Sequence, residues 1–163
     1  MFFRSAPIAL AALAFVTATA AAQVAEPRFA GEWTLDVGNS SWSAGPLPKG
    51  STWTVKFAAD TMKMRREVVT DATTTINEIV VGFDGKPWSN ALKLSGAEAT
   101  MLATAKWDGR ILVFSMAGNI MGTAIVQDER WVLSDDGKRV VASRTLTADG
   151  EDVGAGSWTY VRK

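Results

Sequence analysis

A carboxylate and an arginine stand at spacings that chemistry can use. In "GTAIVQDERWVLS" (122–134), Gln127, Glu129 and Trp131 take alternate positions, and "KRVVASRTLT" (138–147) follows across Asp136-Gly137. With Asp136-Gly137 as a two-residue hairpin turn, Leu133 faces Val140, Trp131 faces Ala142, Glu129 faces Arg144 and Gln127 faces Leu146. The apolar members mark this face as the core face, so Glu129 and Arg144 meet inside the protein. "TMKMRREVVT" (61–70) and "TTTINEIVVGF" (73–83) suggest a second pair. With Arg66 opposite Ile76, Met62, Met64, Arg66 and Val68 share a face with Ile76, Glu78 and Val80, and Arg66 and Glu78 are diagonal neighbours. Buried charges must be paired or solvated, so such pairs require a reason. Three are open: an orienting group for a ligand carboxylate or other polar head; a glutamate base beside an arginine that holds an oxyanion; or an internal salt bridge.

The remaining composition removes many other chemistries. The chain has no cysteine and no histidine. It therefore has no disulfide framework, no thiol nucleophile, no Ser-His-Asp triad, and no use of the commonest general base or transition-metal ligand. Zinc would have carboxylates alone, so no metal is expected, and no cofactor is, since phosphate-loop and dinucleotide patterns are absent. Lys plus Arg and Asp plus Glu each number 17, a balance that gives no footing for nucleic acid or an anionic membrane.

These residues must be positioned by strands. From Phe29 the dominant period is two: Phe29, Gly31, Trp33, Leu35 and Val37 alternate with Ala30, Glu32, Thr34 and Asp36. After a Gly/Ser/Pro-rich loop (38–50), "STWTVKFA" (51–58) turns Trp53, Val55 and Phe57 inward. "ATMLATAKW" (99–107) and "RILVFSMA" (110–117) flank Asp108-Gly109, which as a two-residue turn pairs Ala105 with Leu112 and Ala103 with Phe114. The small inward residues at 103 and 105 leave space for a ligand or for bulky neighbours. A last strand covers 154–162, where Gly154 and Gly156 suggest a bulge and leave the facing of Trp158, Tyr160 and Arg162 undecided. Asp-Gly recurs at 84, 108, 136 and 149, the hairpin signal of an antiparallel meander. About nine consecutive strands bury their edges best by closing into an up-and-down β-barrel; a β-sandwich is the rival, though its crossovers need longer connections. Lys56, Lys63, Arg65, Asp128 and Arg130 fall on the outer face, and the loop carrying Trp42 could cover a barrel mouth as a lid.

Residues 1–22 read as a secretory signal peptide: Arg4, an apolar run from Pro7 to Val16, and Ala20-Ala21-Ala22 before Gln23. Its removal takes Arg4 alone among the charged residues, so 17 basic and 17 acidic become 16 and 17. The organisation expected is a signal peptide over 1–22, a flexible N-terminus over 23–28 and one β-barrel domain over 29–163. The location expected is secreted, in a bacterial periplasm, with no integral membrane span after signal removal and a monomer or weak dimer.

Gly31-x-Trp33 on the first strand, a meander, and Arg162 ending the last strand resemble the calycin superfamily, which includes the lipocalins. The resemblance implies that Trp33 closes one end of the barrel and that Arg162 packs across it as a plug, with Gly31 beside them. The chain is also similar to small exported bacterial lipocalin-like proteins of unknown function, through Gly31 to Leu35, Ser41 with Gly45 to Lys49, and the loop from Asp84 to Trp88. The Thr-Asp-Tyr motif of typical lipocalins is absent. The function expected is binding of a small apolar or amphipathic molecule in the barrel, with Arg66, Glu78, Gln127, Glu129, Trp131 and Arg144 as interior site residues. The alternatives are a proton-transfer enzyme of isomerase or lyase type, and a filled barrel acting through a surface patch around Trp42 and Trp88.

Overall fold

Strands with one apolar face, joined in sequence by tight turns, pair with their chain neighbours and curl to hide that face. In the computed structural model, which describes residues 27–94 and 97–163, they form a single antiparallel sheet rolled into a nearly closed barrel. The expected signal peptide and most of the 23–28 lead-in lie outside the described residues. Pro27–Phe29 form a 3-10 turn that leads into the first strand. The strands are β1 (Gly31–Leu35), β2 (Ser41–Trp42), β3 (Gly50–Ala58), β4 (Thr61–Val69), β5 (Thr74–Gly82), β6 (Trp88–Leu94), β7 (Ala97–Asp108), β8 (Ile111–Ile120), β9 (Thr123–Leu133), β10 (Arg139–Ala148) and β11 (Glu151–Arg162).

Around the barrel the order is β5-β4-β3-β1-β11-β10-β9-β8-β7-β6, with the short β2 alongside β11. First and last strands meet, Trp33 opposite Arg162. A two-sheet sandwich with crossovers is thereby excluded. β6 is an addition to the nine runs of the sequence. Its inward residues are Trp88, Asn90 and Leu92, and the polar middle one hides the alternation. Asn90 explains the near-closure. β5 and β6 share no backbone ladder, and two asparagine side chains bridge them. Asn90 Oδ1 accepts from the Val80 N–H at 2.7 Å and its Nδ2 donates to Val80 O at 3.1 Å. Asn77 Oδ1 accepts from the Lys93 N–H at 2.7 Å and its Nδ2 donates to Lys93 O at 2.9 Å. A side-chain amide carries the same donor and acceptor as a peptide, so each asparagine stands in for a ladder rung.

Register decides which side chains enter the lumen. β9 and β10 pair Glu129 with Arg144, Trp131 with Ala142 and Gln127 with Leu146, as the Asp136-Gly137 turn implies. β7 and β8 turn on Gly109-Arg110, one residue later than expected, so Ala105 faces Phe114 and Ala103 faces Met116. A slide of two along the partner leaves every residue on its expected face. β4 and β5 are off by one. The turn is clasped by Thr70 and Thr73, whose side chain and backbone groups bond each other, and Arg66 faces Asn77 instead of Ile76. One residue of slip reverses β5: Ile79 and Val81 are buried, while Glu78 points outward, 3.0 Å from Lys63 Nζ. Glu78 is therefore not an interior residue. Val37, expected inside, is 40% exposed because Asp36 caps a 3-10 turn over Val37–Asn39 that ends the first strand's alternation.

The two halves of the lumen differ. The end carrying the β9–β10 and β7–β8 turns is packed with aromatic rings, among them Phe29, Trp33, Phe57, Phe83 and Trp107. Trp88 and Phe114 sit opposite Ala103 and Ala105, so bulky neighbours fill the space those alanines leave. The end carrying the Thr70–Thr73 turn holds a cavity.

Candidate functional site

At the packed end, Arg162 lies over the Trp33 ring, 4.3 Å from its centre. Its Nε donates to Gly137 O at 2.9 Å, Nη1 to Ala30 O at 2.9 Å, and Nη2 to Arg28 O. Trp33 Nε1 donates to Phe29 O at 2.9 Å. Gly31 explains the first letter of Gly-x-Trp: its φ is +136°, and a Cβ there would lie 2.5 Å from Arg162 Nη1. The donors of Arg162 and of the Trp33 indole are matched by backbone carbonyls, so this cluster is satisfied without a ligand.

The second cluster lies in the middle of the lumen. β9 delivers Gln127, Glu129 and Trp131, β10 delivers Arg144, and β4 delivers Arg66. Glu129 is 1% exposed. Trp131 Nε1 donates to its Oε2 at 2.6 Å, and Gln127 Nε2 donates to its Oε1. Arg66 Nη2 donates to both oxygens at 3.3 and 3.4 Å. Arg144 Nη2 lies 2.8 Å from Oε1, but off its donor direction, so this contact is one of charge. Burial alone would push the Glu129 carboxyl up. Arg144 and Arg66, with the bonds from Trp131 and Arg66, outweigh that and hold it below its ordinary value. Burial, then Arg66, push the Arg144 guanidinium down against the pull of Glu129. The Tyr160 phenol is pushed by burial up to about 12 and stays neutral.

Aromatic faces carry both guanidiniums. Arg66 lies 4.8 Å from the Trp53 ring centre and Arg144 lies 3.9 Å from that of Trp158. Trp53 in turn stacks on Trp131 at 4.4 Å and meets the tilted ring of Tyr160 at 3.7 Å. A bulge in β11 near Gly154 sets its parity so that Trp158 and Tyr160 face inward. Gly154 and Gly156 then make room for β2: a Cβ on Gly154 would meet the Trp42 ring at 2.7 Å, and one on Gly156 would meet Ser41 O at 2.2 Å. Trp42 is half-buried and edge-on to Trp158.

The cavity, of about 460 Å³, lies between this cluster and the open mouth. Arg66 and Gln127 form its inner end; Val68, Ile79, Leu92 and Met116 give apolar walls; Thr70, Thr73, Thr75 and Lys93 reach its rim. Its size is that of pockets that take small organic molecules. A wider concavity of about 820 Å³ lies outside the barrel, between Ser134–Arg139 and Val161–Lys163; it is open to solvent and holds none of the interior charges. Among the described residues, no group of three or more acidic side chains could hold a metal ion, and no helix is long and apolar enough to cross a membrane, which says nothing about crossing by strands.

No protein-family model matches the chain, and neither does any curated protein. The site therefore stands on its own geometry. That geometry brings together Arg66, Gln127, Glu129, Trp131 and Arg144, leaves out Glu78, and adds Trp53, Trp158 and Tyr160. Trp53 was legible as inward; the other two needed the β11 bulge to be placed.

Proposed function

We propose that this protein is an exported, lipocalin-like binder that holds a small amphipathic molecule in the open half of its barrel. The observation that carries the reading is the cavity itself: apolar walls from four side chains, with a buried arginine and a glutamine at its inner end. Apolar walls supply affinity, and a few convergent polar groups supply orientation. The Trp33–Arg162–Gly31 plug supports kinship with the calycins, and the N-terminal residues support export to a bacterial periplasm.

The proton-transfer reading has less support. A general base needs a carboxyl poised near the working pH with access to substrate. Glu129 is held ionised by two guanidiniums and two further donors, which lowers its basicity. The surface reading is not favoured either, because Trp42 lies near the open mouth and Trp88 near the packed end, so they do not form one patch.

The test is native mass spectrometry of the protein purified from the exported fraction of its own host. A reproducible extra mass, lost on extraction with organic solvent, is the expected result. A clean apo mass, together with no quenching of tryptophan fluorescence by any amphipath, would overturn the reading.

A further inference from the structure

The lumen holds two guanidiniums and one carboxylate, a net charge of one positive, since Tyr160 is neutral. No Asp or Glu lines the cavity. At the rim Lys93 is 68% exposed and 3.9 Å from Glu98, so its charge is solvated and stands outside the buried surplus. Hydrogen-bond bookkeeping gives the same sign. Among the described residues, the buried side-chain polar atoms without a hydrogen-bond partner are all N–H donors, and of their residues Arg66, through its Nε, is the one that lines the cavity. Excess buried charge and unmatched donors both call for an acceptor carrying negative charge.

The two arginines are not equivalent. Arg66 lines the cavity and Arg144 does not. Arg66 also makes the longer contacts to Glu129, 3.3 and 3.4 Å against 2.8 Å for Arg144. An incoming anion can take Arg66 while Glu129 remains neutralised by Arg144. We infer that the bound molecule carries a single negative charge of carboxylate type, received by Arg66 and Gln127, with its apolar body against Val68, Ile79, Leu92 and Met116. This inference rests on the binding function proposed above and names the class of ligand. One excess charge matches a monoanion; a dianion would leave the interior as unbalanced as it is now, with the opposite sign.

The test compares decanoate with decanol, which share a tail and differ in the head group. Each is titrated into solvent-extracted protein, and binding is followed by tryptophan fluorescence. Wild type is expected to bind decanoate roughly tenfold or more tighter than decanol, as a charge-assisted contact to a buried guanidinium implies. Arg66→Met is expected to abolish that preference while decanol binding stays within about twofold, the polar head contributing little once its partner is gone. Equal affinity of wild type for the two probes, or a preference that survives in folded Arg66→Met, would overturn the anion assignment and leave the binding function standing. Failure of both probes to bind would overturn the anion assignment, and together with a clean apo mass in native mass spectrometry would overturn the binding function as well. If Arg66→Met does not fold, the wild-type preference decides, and Arg66→Lys, which keeps charge but loses the planar fork, should show a reduced preference.

Discussion

At the packed end of the barrel Arg162 lies over Trp33; in the lumen Arg66 lies over Trp53 and Arg144 over Trp158. The same pair of side chains is used three times, with different surroundings. Arg162 donates to three backbone carbonyls and stands at the solvent edge. Arg66 and Arg144 are buried, share one carboxylate and keep unmatched donors. A satisfied cation over a ring closes a structure. A cation surplus over buried rings is a seat awaiting an anion, because natural interiors seldom leave charge and donors unmatched without function.

The comparison can be broken most forcefully at Glu129. Glu129→Ala leaves two buried guanidiniums with no counter-charge and should destabilise the fold by about 3–5 kcal/mol, read by urea unfolding. The same group sets an acid limit. Its carboxyl lies below the ordinary 4.5 in the folded state. Its stabilising contribution is therefore present above that pH and lost as pH falls through the depressed folded value. The wild-type unfolding midpoint should drop on acidification below about pH 4.5, and Glu129→Gln should show a smaller drop while being less stable at neutral pH.

Asn90→Ala should come next, at about 2–3 kcal/mol, since it strips both polar groups of Val80 of their partner at the β5–β6 seam. Hydrogen exchange at Val80 would report the opened seam, and unchanged exchange would show that water replaces the amide at no cost. Gly31→Ala should follow, at about 1–3 kcal/mol, through its positive φ and the clash with Arg162. Its effect belongs to the plug alone, so ligand binding in the lumen should persist. Loss of binding in folded Gly31→Ala would couple the two ends and blur the distinction between them.

The sequence was most informative where turn chemistry and alternation agreed. Asp136-Gly137 placed Glu129 against Arg144 because the flanking residues could sit in only one parity. The β7–β8 turn falls one residue later than Asp108-Gly109 implies, yet a slide of two preserves each face, so Ala103 and Ala105 stay inward. The β4–β5 turn contains no Gly; Thr70 and Thr73 clasp it, a geometry that residue types alone do not reveal, and the resulting one-residue error put Glu78 inside and Asn77 out. Asn77 and Asn90 were invisible as seam residues because a polar side chain replacing backbone pairing leaves no periodic signal. The charge surplus was hidden for the same reason. Two Arg–Glu pairs implied a neutral interior, and only the loss of Glu78 to the outer face exposes Arg66 as the extra cation.

Arg66 is where the account is tested most directly. Arg66→Met leaves a neutral Glu129–Arg144 pair inside the barrel and removes the unbalanced charge, so no buried ion loses its only partner. Urea unfolding of wild type, Arg66→Met and Arg162→Met should show Arg66→Met within about 1 kcal/mol of wild type, or more stable. Arg162→Met should lose about 1–2 kcal/mol with its carbonyl bonds. A loss of 3 kcal/mol or more in Arg66→Met, equal to or exceeding that of Arg162→Met, would make Arg66 a structural member of a closed ion cluster and contradict the account.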